Sequence, residues 1–204
     1  MGTIFCLIGK SSSGKDTLFN ELIKDKDLNL IPIIPYTTRP KRSNELNGVH
    51  YRFIHEDNLR DYEQAGLIIE KRVYNTVNGV WVYCTIDDGQ IDLEHNNYIL
   101  IGTLEGYKLL KQYFGHPNVV PIYIEVEDQI RLGRAMHREK QQAIPNYQEL
   151  CRRFLADSAD FSVDNLILYG IPKIYYNEDL SECLTKIKFD IETLLNSFKG
   201  PYEN

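Results

Sequence analysis

The chain has 204 residues, of which 43% are hydrophobic and 25% are charged. This length and composition are typical of a soluble globular protein with one well-buried core, and they exclude disorder of the whole chain. The formal net charge of -6 argues against broad affinity for nucleic acid or anionic membranes, because a field of that sign repels phosphate polymers. Any anion-binding site must therefore be local.

The longest apolar runs, such as 30–34 and 98–101, are far shorter than a membrane-spanning helix. We therefore expect no membrane span and a cytoplasmic location. The cysteines are Cys6, Cys84, Cys151 and Cys183. Because they are widely scattered and lack the spacing of metal ligands, we expect reduced structural thiols with neither zinc nor a disulfide.

Short apolar runs alternate with segments of helical periodicity over most of the chain. The predicted strands cover 3–8, 98–101, 119–126 and 173–176. One predicted helix begins at Lys15 and ends near Lys24, and the others cover 104–114, 128–139 and 180–198. Because strands that alternate with helices form parallel sheets, we predict an α/β fold with a parallel core sheet flanked by helices.

The pattern changes between 33 and 87, where short aromatic and β-branched runs replace the alternation. These runs cover 49–54, 67–74 and 80–86, and Asn-Gly pairs stand at 47–48 and 78–79. Since Asn-Gly is a strong signal for a hairpin turn, we predict an antiparallel lobe inserted in the core.

A second interruption, at 139–146, is polar, contains one proline and has helix-like sequence on either side. We predict that it belongs to a mobile helical lid, and that the tail from 200 is frayed. The predicted organisation is a single domain over 1–204, with a core (1–33, 88–133 and 154–198), an inserted lobe (34–87) and a lid (134–153).

A glycine-bounded loop, GKSSSGK at 9–15, connects the first predicted strand to the first predicted helix. This spacing matches the P-loop pattern, and it stands in the strand–loop–helix context that the pattern requires. Backbone N–H groups of such a loop surround phosphate oxygens, and its lysine neutralises charge on the β- and γ-phosphates of ATP. The predicted ATP-binding residues of the loop are Gly9, Ser11, Ser12, Ser13, Gly14, Lys15, Asp16 and Thr17.

The position after the lysine departs from the P-loop pattern. A Ser or Thr hydroxyl for Mg²⁺ is usual there, but this chain has Asp16, and Thr17 follows one residue later. Asp16 could hold the metal directly, hold it through water, or cap the helix, and the sequence leaves these alternatives open. Asp16 and Thr17 are the candidate metal ligands.

Beyond the loop, TTRPKR at 37–42 leads to ELNGVHYRF at 45–53. This pairing resembles guanylate kinases, in which Thr-Thr-Arg-x-x-Arg leads to Glu-x-Asn-Gly-x-x-Tyr-x-Phe, and every fixed position matches. The similarity extends to 69–70, 83–85, 134–153 and 177–180, so it covers nearly the whole chain. It implies that the inserted lobe binds the acceptor, and that the γ-phosphoryl group of ATP passes to GMP or dGMP with Mg²⁺ as cofactor.

The resemblance also assigns residues to the acceptor. It implies that Arg39, Arg42, Tyr51 and Tyr83 bind the acceptor phosphate, which suits the bidentate, permanently charged guanidinium group. It further implies that Glu70, assisted by Thr85, reads guanine. A carboxylate accepts hydrogen bonds from the N1–H and exocyclic amine of guanine, whereas adenine presents an acceptor at N1.

In the predicted lid, Arg134 and Arg138 stand four residues apart and therefore share one helix face. The resemblance implies that these two arginines and Arg153 close over the transferring phosphoryl group, and that Asn177 lies near adenine. With Lys15 and Arg39, the three lid arginines complete the predicted catalytic set. Such charges stabilise a transition state once the lid has excluded water.

Two departures from the family pattern bear on acceptor and metal binding. The family has a strand that ends in two aspartates separated by one residue, but LIGTLEG stands at 100–106 here, so both carboxylates are missing near Gly102 and Thr103. The family serine two residues before Thr-Thr-Arg is Pro35. These departures leave two alternatives open: a P-loop kinase for another phosphorylated acceptor such as ribose 1,5-bisphosphate, or a binding module with weak catalysis.

Overall fold

The computed structural model describes residues 1–42, 45–76 and 79–198. Its strands are β1 (Ile4–Gly9), β2 (Leu30–Pro32), β3 (Tyr36–Thr37), β4 (Arg52–Phe53), β5 (Ile68–Thr76), β6 (Gly79–Ile86), β7 (Asn97–Ile101), β8 (Val119–Glu125) and β9 (Ile174–Tyr176). Its α-helices are α1 (Lys15–Lys24), α2 (Glu56–Gln64), α3 (Leu104–Phe114), α4 (Asp128–Lys140), α5 (Tyr147–Asp160), α6 (Val163–Leu168) and α7 (Leu180–Phe198). The fold is α/β, as predicted.

The core is a five-stranded parallel sheet in the order β2, β7, β1, β8 and β9. All six residues of β1 are buried, since this strand is central and carries helices on both faces. Phe5 and Leu7 pack with Leu18 of α1 and with α7, while Ile4 and Cys6 pack with α3. The sheet therefore lies between two helical layers, and its carboxyl edge is where the loops after β1, β7 and β8 meet.

A second sheet has the order β4, β3, β6 and β5, and all four of its strands lie within the predicted lobe. The β5–β6 and β3–β6 pairs are antiparallel, but β3 and β4 are parallel. The prediction of an antiparallel lobe was therefore incomplete, because the sheet is mixed. Asn47–Gly48 does not form a tight hairpin turn, because β3 and β4 are parallel and need a longer connection. An isolated bridge joins Asn47 to Tyr51 within that connection. Asn78 of the other Asn-Gly pair lies outside the described residues.

Several elements of the structure were not predicted. Helix α2 buries only Leu59, so its sequence carries no apolar period. Strands β2 and β3 are three and two residues long. In the predicted lid, α4 ends at Lys140 and α5 begins at Tyr147, with a turn at 141–146. Across the described ranges, no helix is both long and apolar enough to span a membrane.

Candidate active site

The P-loop leaves the carboxyl end of β1 and enters α1 at Lys15. Gly14 is the N-cap residue at φ 89°, and a Cβ there would lie 2.3 Å from Nδ2 of Asn177. A Cβ at Gly9 would lie 2.4 Å from the carbonyl oxygen of Ile124. Both glycines are therefore required by close approach of a neighbouring strand or side chain, and Gly14 also by its left-handed backbone.

Lys15 turns back over its own loop. Its Nζ donates to the carbonyl oxygen of Lys10 at 2.8 Å and lies 3.5 Å from Oγ of Ser13. Burial lowers the pKa of Lys15 from 10.5 to about 8, a shift that the Asp16 and Asp157 carboxylates oppose. The ammonium group is therefore held inside the loop, where an anionic ligand would restore its full basicity.

Two residues from distant parts of the chain brace the loop backbone. Asp157 of α5 accepts a hydrogen bond from the N–H of Ser11 at 2.7 Å, and Nδ2 of Asn177 donates to the carbonyl oxygen of Ser13 at 2.7 Å. Asn177 is 2% exposed, and its Oδ1 has no hydrogen-bond partner among the described residues. Asn177 thus braces the P-loop, and its predicted place beside adenine stays a prediction.

Arg131 forms an ion pair that holds Asp157 next to the P-loop. This arginine is 1% exposed, and its guanidinium lies 3.3 Å from Asp157, 2.9 Å from Asp128 and 3.8 Å from the ring centre of Phe154. It therefore joins α4 to α5 directly above the P-loop. Neither Asp157 nor Arg131 was among the predicted site residues, because Asp157 lies 146 residues from Ser11 and 26 from Arg131, and neither contact has a local pattern.

The predicted lid arginines face the loop from α4 and α5. Arg138 donates to Oγ of Ser12 at 3.1 Å, and Arg134 donates to the carbonyl oxygen of Asn177 at 3.1 Å. Arg153 lines a small cavity with Ser12 and Arg138. Its Nε lies 3.5 Å from Glu149 and makes no hydrogen bond within the described part of the chain. The structure therefore brings all three arginines to the P-loop side of the lid.

The residues predicted to bind the acceptor phosphate form a cluster in the lobe. Arg39 is 3% exposed and donates through Nε to the hydroxyl of Tyr83 at 2.9 Å. Its guanidinium lies 5.4 Å from the ring centre of Tyr51, and the Tyr51 and Tyr83 ring centres are 5.6 Å apart. Arg42 is exposed beside them. Three predicted residues are thus in mutual contact, and the fourth is next to them.

Arg39 is also one half of a buried ion pair, which the sequence analysis did not identify. Its Nη1 and Nη2 donate to the two carboxylate oxygens of Glu45 at 3.0 and 2.7 Å. The hydrogen bonds from Arg39 lower the pKa of Glu45, although burial opposes that shift. Glu45 therefore fixes the plane of the guanidinium and leaves part of its donor set for a ligand.

Glu70 and Thr85 face each other across the β5–β6 pair. Thr85 donates through Oγ1 to Oε1 of Glu70 at 2.9 Å, and Glu70 is 3% exposed. Arg72, two residues further along β5, binds both carboxylate oxygens of Glu70, at 2.9 and 3.1 Å. Arg72 was not predicted as a site residue, but its spacing from Glu70 carried a signal, because residues i and i+2 of a strand share a face.

Helix α3 closes the other side of the Glu70 carboxylate. Thr103 is its N-cap residue and accepts from the N–H of Gly106 at 3.1 Å. A Cβ at Gly106 would lie 3.5 Å from Oε2 of Glu70, and one at Gly102 would lie 2.7 Å from Sγ of Cys6. The segment that lacks the two family aspartates thus begins a helix whose first turn packs against Glu70.

Asp16 and Thr17 lie exposed in the first turn of α1. The N-cap residue of α1 is Gly14, and Asp16 is the second residue of the helix, so Asp16 does not occupy the capping position. The Asp16 carboxylate raises the pKa of neighbouring Lys15 and so opposes the effect of burial. Carboxylate and hydroxyl oxygens suit Mg²⁺, which keeps several waters and needs few protein ligands. No cluster of three acidic, His or Cys side chains occurs in the described ranges.

Comparison with known proteins adds to this geometry. The guanylate kinase family model matches residues 1–188. A guanylate kinase from Paraburkholderia xenovorans is 26% identical over 205 aligned positions, covering 98% of this chain and 84% of the relative, and one from Malacoplasma penetrans is 30% identical over 156 positions, covering 74% and 67%.

A solved structure is also similar to this chain. The crystal structure of guanylate kinase from Anaplasma phagocytophilum superposes with a TM-score of 0.63 at 23% identity, covering 94% of this chain and 85% of that one. At this identity the likeness supports the fold. The match to the family model spans the P-loop, the lobe and the lid together. This chain is a member of the guanylate kinase family.

Proposed function

We propose that this protein transfers the γ-phosphoryl group of ATP to the phosphate of GMP or dGMP, giving ADP and GDP or dGDP. A phosphate oxygen of the acceptor forms the new P–O bond, and the bond between the γ-phosphorus and the β–γ bridging oxygen breaks. The observation that carries the proposal is Glu70, a buried carboxylate where the lobe packs against α3, in a chain of the guanylate kinase family.

The donor end supplies charge and backbone donors. Lys15 and the N–H groups at the start of α1 bind the β- and γ-phosphates, and Asp157 and Asn177 hold the loop in shape. Asp16 and Thr17 would hold Mg²⁺, which supplies charge neutralisation to the phosphate oxygens when it is bound. Phosphoryl transfer needs positioning more than a reactive side chain, so no nucleophile from the protein is required.

The acceptor end supplies orientation. Arg39, whose guanidinium is oriented by Glu45, binds the acceptor phosphate with Arg42, Tyr51 and Tyr83. Glu70 accepts hydrogen bonds from the N1–H and amine of guanine. Arg134, Arg138 and Arg153 close from the lid and neutralise charge on the transferring group. The same proposal includes the division into core, acceptor lobe and lid, and a cytoplasmic location.

The test is ADP release from ATP and Mg²⁺ with GMP, dGMP, AMP, UMP and ribose 1,5-bisphosphate as acceptors. We expect turnover with GMP and dGMP only. Lys15→Ala should lower kcat by on the order of 10²- to 10³-fold, because it removes a preorganised charge. Lys24→Ala, at the exposed end of the same helix, is the matched control and should leave kcat unchanged.

Other outcomes would point to the alternatives. Turnover with ribose 1,5-bisphosphate alone would assign Glu70 a structural role and replace the proposed acceptor. ATP binding without turnover on any acceptor would indicate a binding module. Retention of more than about a tenth of the activity by Lys15→Ala would contradict the assignment of the donor site, because the charge lost there should cost more.

A further inference from the structure

One face of the β5–β6 pair forms the wall of the acceptor lobe. Glu70 stands opposite Thr85, and Arg72 stands opposite Tyr83. Because side chains two residues apart on a strand share a face, this wall runs from the base-reading carboxylate to a phosphate-binding tyrosine. Arg72 is paired with Tyr83 in the register, and its guanidinium contacts Glu70. It is therefore placed inside the acceptor site and not on the outer face of the lobe.

The Arg72 guanidinium is only partly used by the protein. Nε and Nη2 bind the Glu70 carboxylate, but Nη1 has no hydrogen-bond partner within 1–42, 45–76 and 79–198. The Arg72 side chain is 19% exposed, against 2% for that of Glu70, so the open side of the pair is the arginine side. Burial raises the pKa of Tyr51, and the positive charges of Arg39 and Arg72 oppose this shift.

Two side chains that could have supplied a donor at this end of the site are committed or missing. The Thr85 hydroxyl gives its hydrogen to Glu70. Pro35 has neither a side-chain donor nor a backbone N–H. A guanine ring presents a keto oxygen beside its N1–H, and a carboxylate cannot bind an acceptor atom. Guanine in this lobe therefore needs a cationic or N–H donor next to Glu70.

We propose that Arg72 is a specificity-determining residue that donates to the keto oxygen at C6 of guanine while Glu70 binds N1–H and the amine. This inference rests on the proposed acceptor. Arginine is well suited to the role because its fork matches the O6 and N7 acceptors of guanine. The same donors would face the 6-amino group of adenine, so the ion pair both favours guanine and rejects adenine.

The experiment compares GMP with 6-thio-GMP, which keeps N1–H and the amine but carries sulfur, a weak acceptor, at C6. Wild-type protein should prefer GMP in kcat/KM by about tenfold to a hundredfold, the range expected for a hydrogen bond to a charged group. In Arg72→Met, kcat/KM for GMP should fall by a similar factor, and the GMP to 6-thio-GMP ratio should fall to about one, because the donor is gone. Calorimetric dissociation constants for the two acceptors should show the same loss of discrimination.

Lys71→Met is the matched control, because Lys71 lies between Glu70 and Arg72 on β5 and its side chain pairs with Glu63 on the opposite face. It should leave the ratio at the wild-type value. Arg72→Met leaves Glu70 buried without its cation, so the double variant Glu70→Gln/Arg72→Met and the variant Arg72→Lys are measured as well. Thermal melting and ATP binding report whether each variant is folded. Arg72→Lys keeps the charge but loses the fork, and should retain part of the discrimination.

Two results would overturn the inference. If a folded Arg72→Met keeps the wild-type ratio, Arg72 does not contact the C6 substituent. If Arg72→Met binds GMP more tightly than wild type, Arg72 competes with guanine for Glu70 instead of assisting it. Wild-type turnover of GMP with an unchanged ratio in Arg72→Met would refute this inference alone, whereas no wild-type turnover of GMP would refute the proposed function and this inference with it.

Discussion

The donor and acceptor ends of the site are built in different ways. At the donor end the P-loop backbone is the main ligand-binding surface, and Asp157 and Asn177 hold it through hydrogen bonds to a main-chain N–H and a main-chain carbonyl. At the acceptor end two arginine–carboxylate pairs, Arg39–Glu45 and Arg72–Glu70, form the surface. In the proposed function, the first arrangement would fix the position of a phosphate, and the second would set the charge and hydrogen-bond pattern of the acceptor site. We therefore expect recognition of the acceptor to depend on side-chain identity more than recognition of the donor does.

The strongest test of this difference removes one half of a buried pair. Glu45→Ala should lower the free energy of unfolding by about 3 to 5 kcal/mol, because it leaves the Arg39 guanidinium buried and unpaired. Urea denaturation measures this effect. The double variant Arg39→Met/Glu45→Met should recover most of the stability while GMP turnover stays lost, which separates stability from acceptor binding.

A surface pair provides the control for that experiment. Glu149→Ala removes the partner of exposed Arg152 and should change the free energy of unfolding by less than about 1 kcal/mol. Equal losses from Glu45→Ala and Glu149→Ala would show that the Arg39–Glu45 pair does not behave as a buried one.

At the donor end, the lowered pKa of Lys15 makes ATP binding sensitive to pH. In the free protein Lys15 is charged below its pKa of about 8 and becomes neutral above it. The affinity for ATP should therefore fall about tenfold between about pH 7 and about pH 9, with Mg²⁺ held constant. In Lys15→Arg the charge persists over this range, so the residual affinity should be flat. A wild-type affinity that is constant up to about pH 9 would show that the ammonium group is not desolvated in solution.

An effect of similar size at the donor end comes from the brace on the P-loop. Asp157→Ala removes the acceptor of the Ser11 N–H and should raise the KM for ATP about tenfold, with a smaller change in kcat. Asp157→Asn keeps an acceptor oxygen and should have a weaker effect. Asp160→Ala, on the same helix, is the control. An equal KM for Asp157→Ala and wild type would indicate that the loop keeps its shape without this contact.

Much of the fold could be predicted from the sequence because its helices carry clear apolar periods. The predicted bounds of α3 and α7 equal the observed ones. Helix α2 could not be predicted, since it packs through Leu59 and Tyr62 and is otherwise almost wholly polar. The parallel pairing of β3 with β4 was also inaccessible, because two-residue strands leave too few side chains to reveal a direction.

The predicted site residues lie in local sequence motifs. The unpredicted ones make contacts that only the folded chain brings about. Lys15, Arg39 and Glu70 each lie in a segment with a recognisable spacing. Asp157 reaches Ser11 only because α5 folds back over the P-loop. Glu45 belonged to the matched motif, but its bidentate contact with Arg39 became visible only in three dimensions. A motif thus identifies a residue, whereas its partner depends on the packing of the chain.

The distribution of thiols in this fold has a practical consequence. Cys6, Cys84 and Cys183 are buried, and burial raises their pKa values to about 12, 12 and 11, whereas Cys151 is exposed on α5. A maleimide dye should therefore attach to Cys151 alone, two residues before Arg153. Without any engineered cysteine, the natural chain carries a single fluorophore position on the helix that touches the P-loop, and its emission would follow the movement of that helix as nucleotides bind.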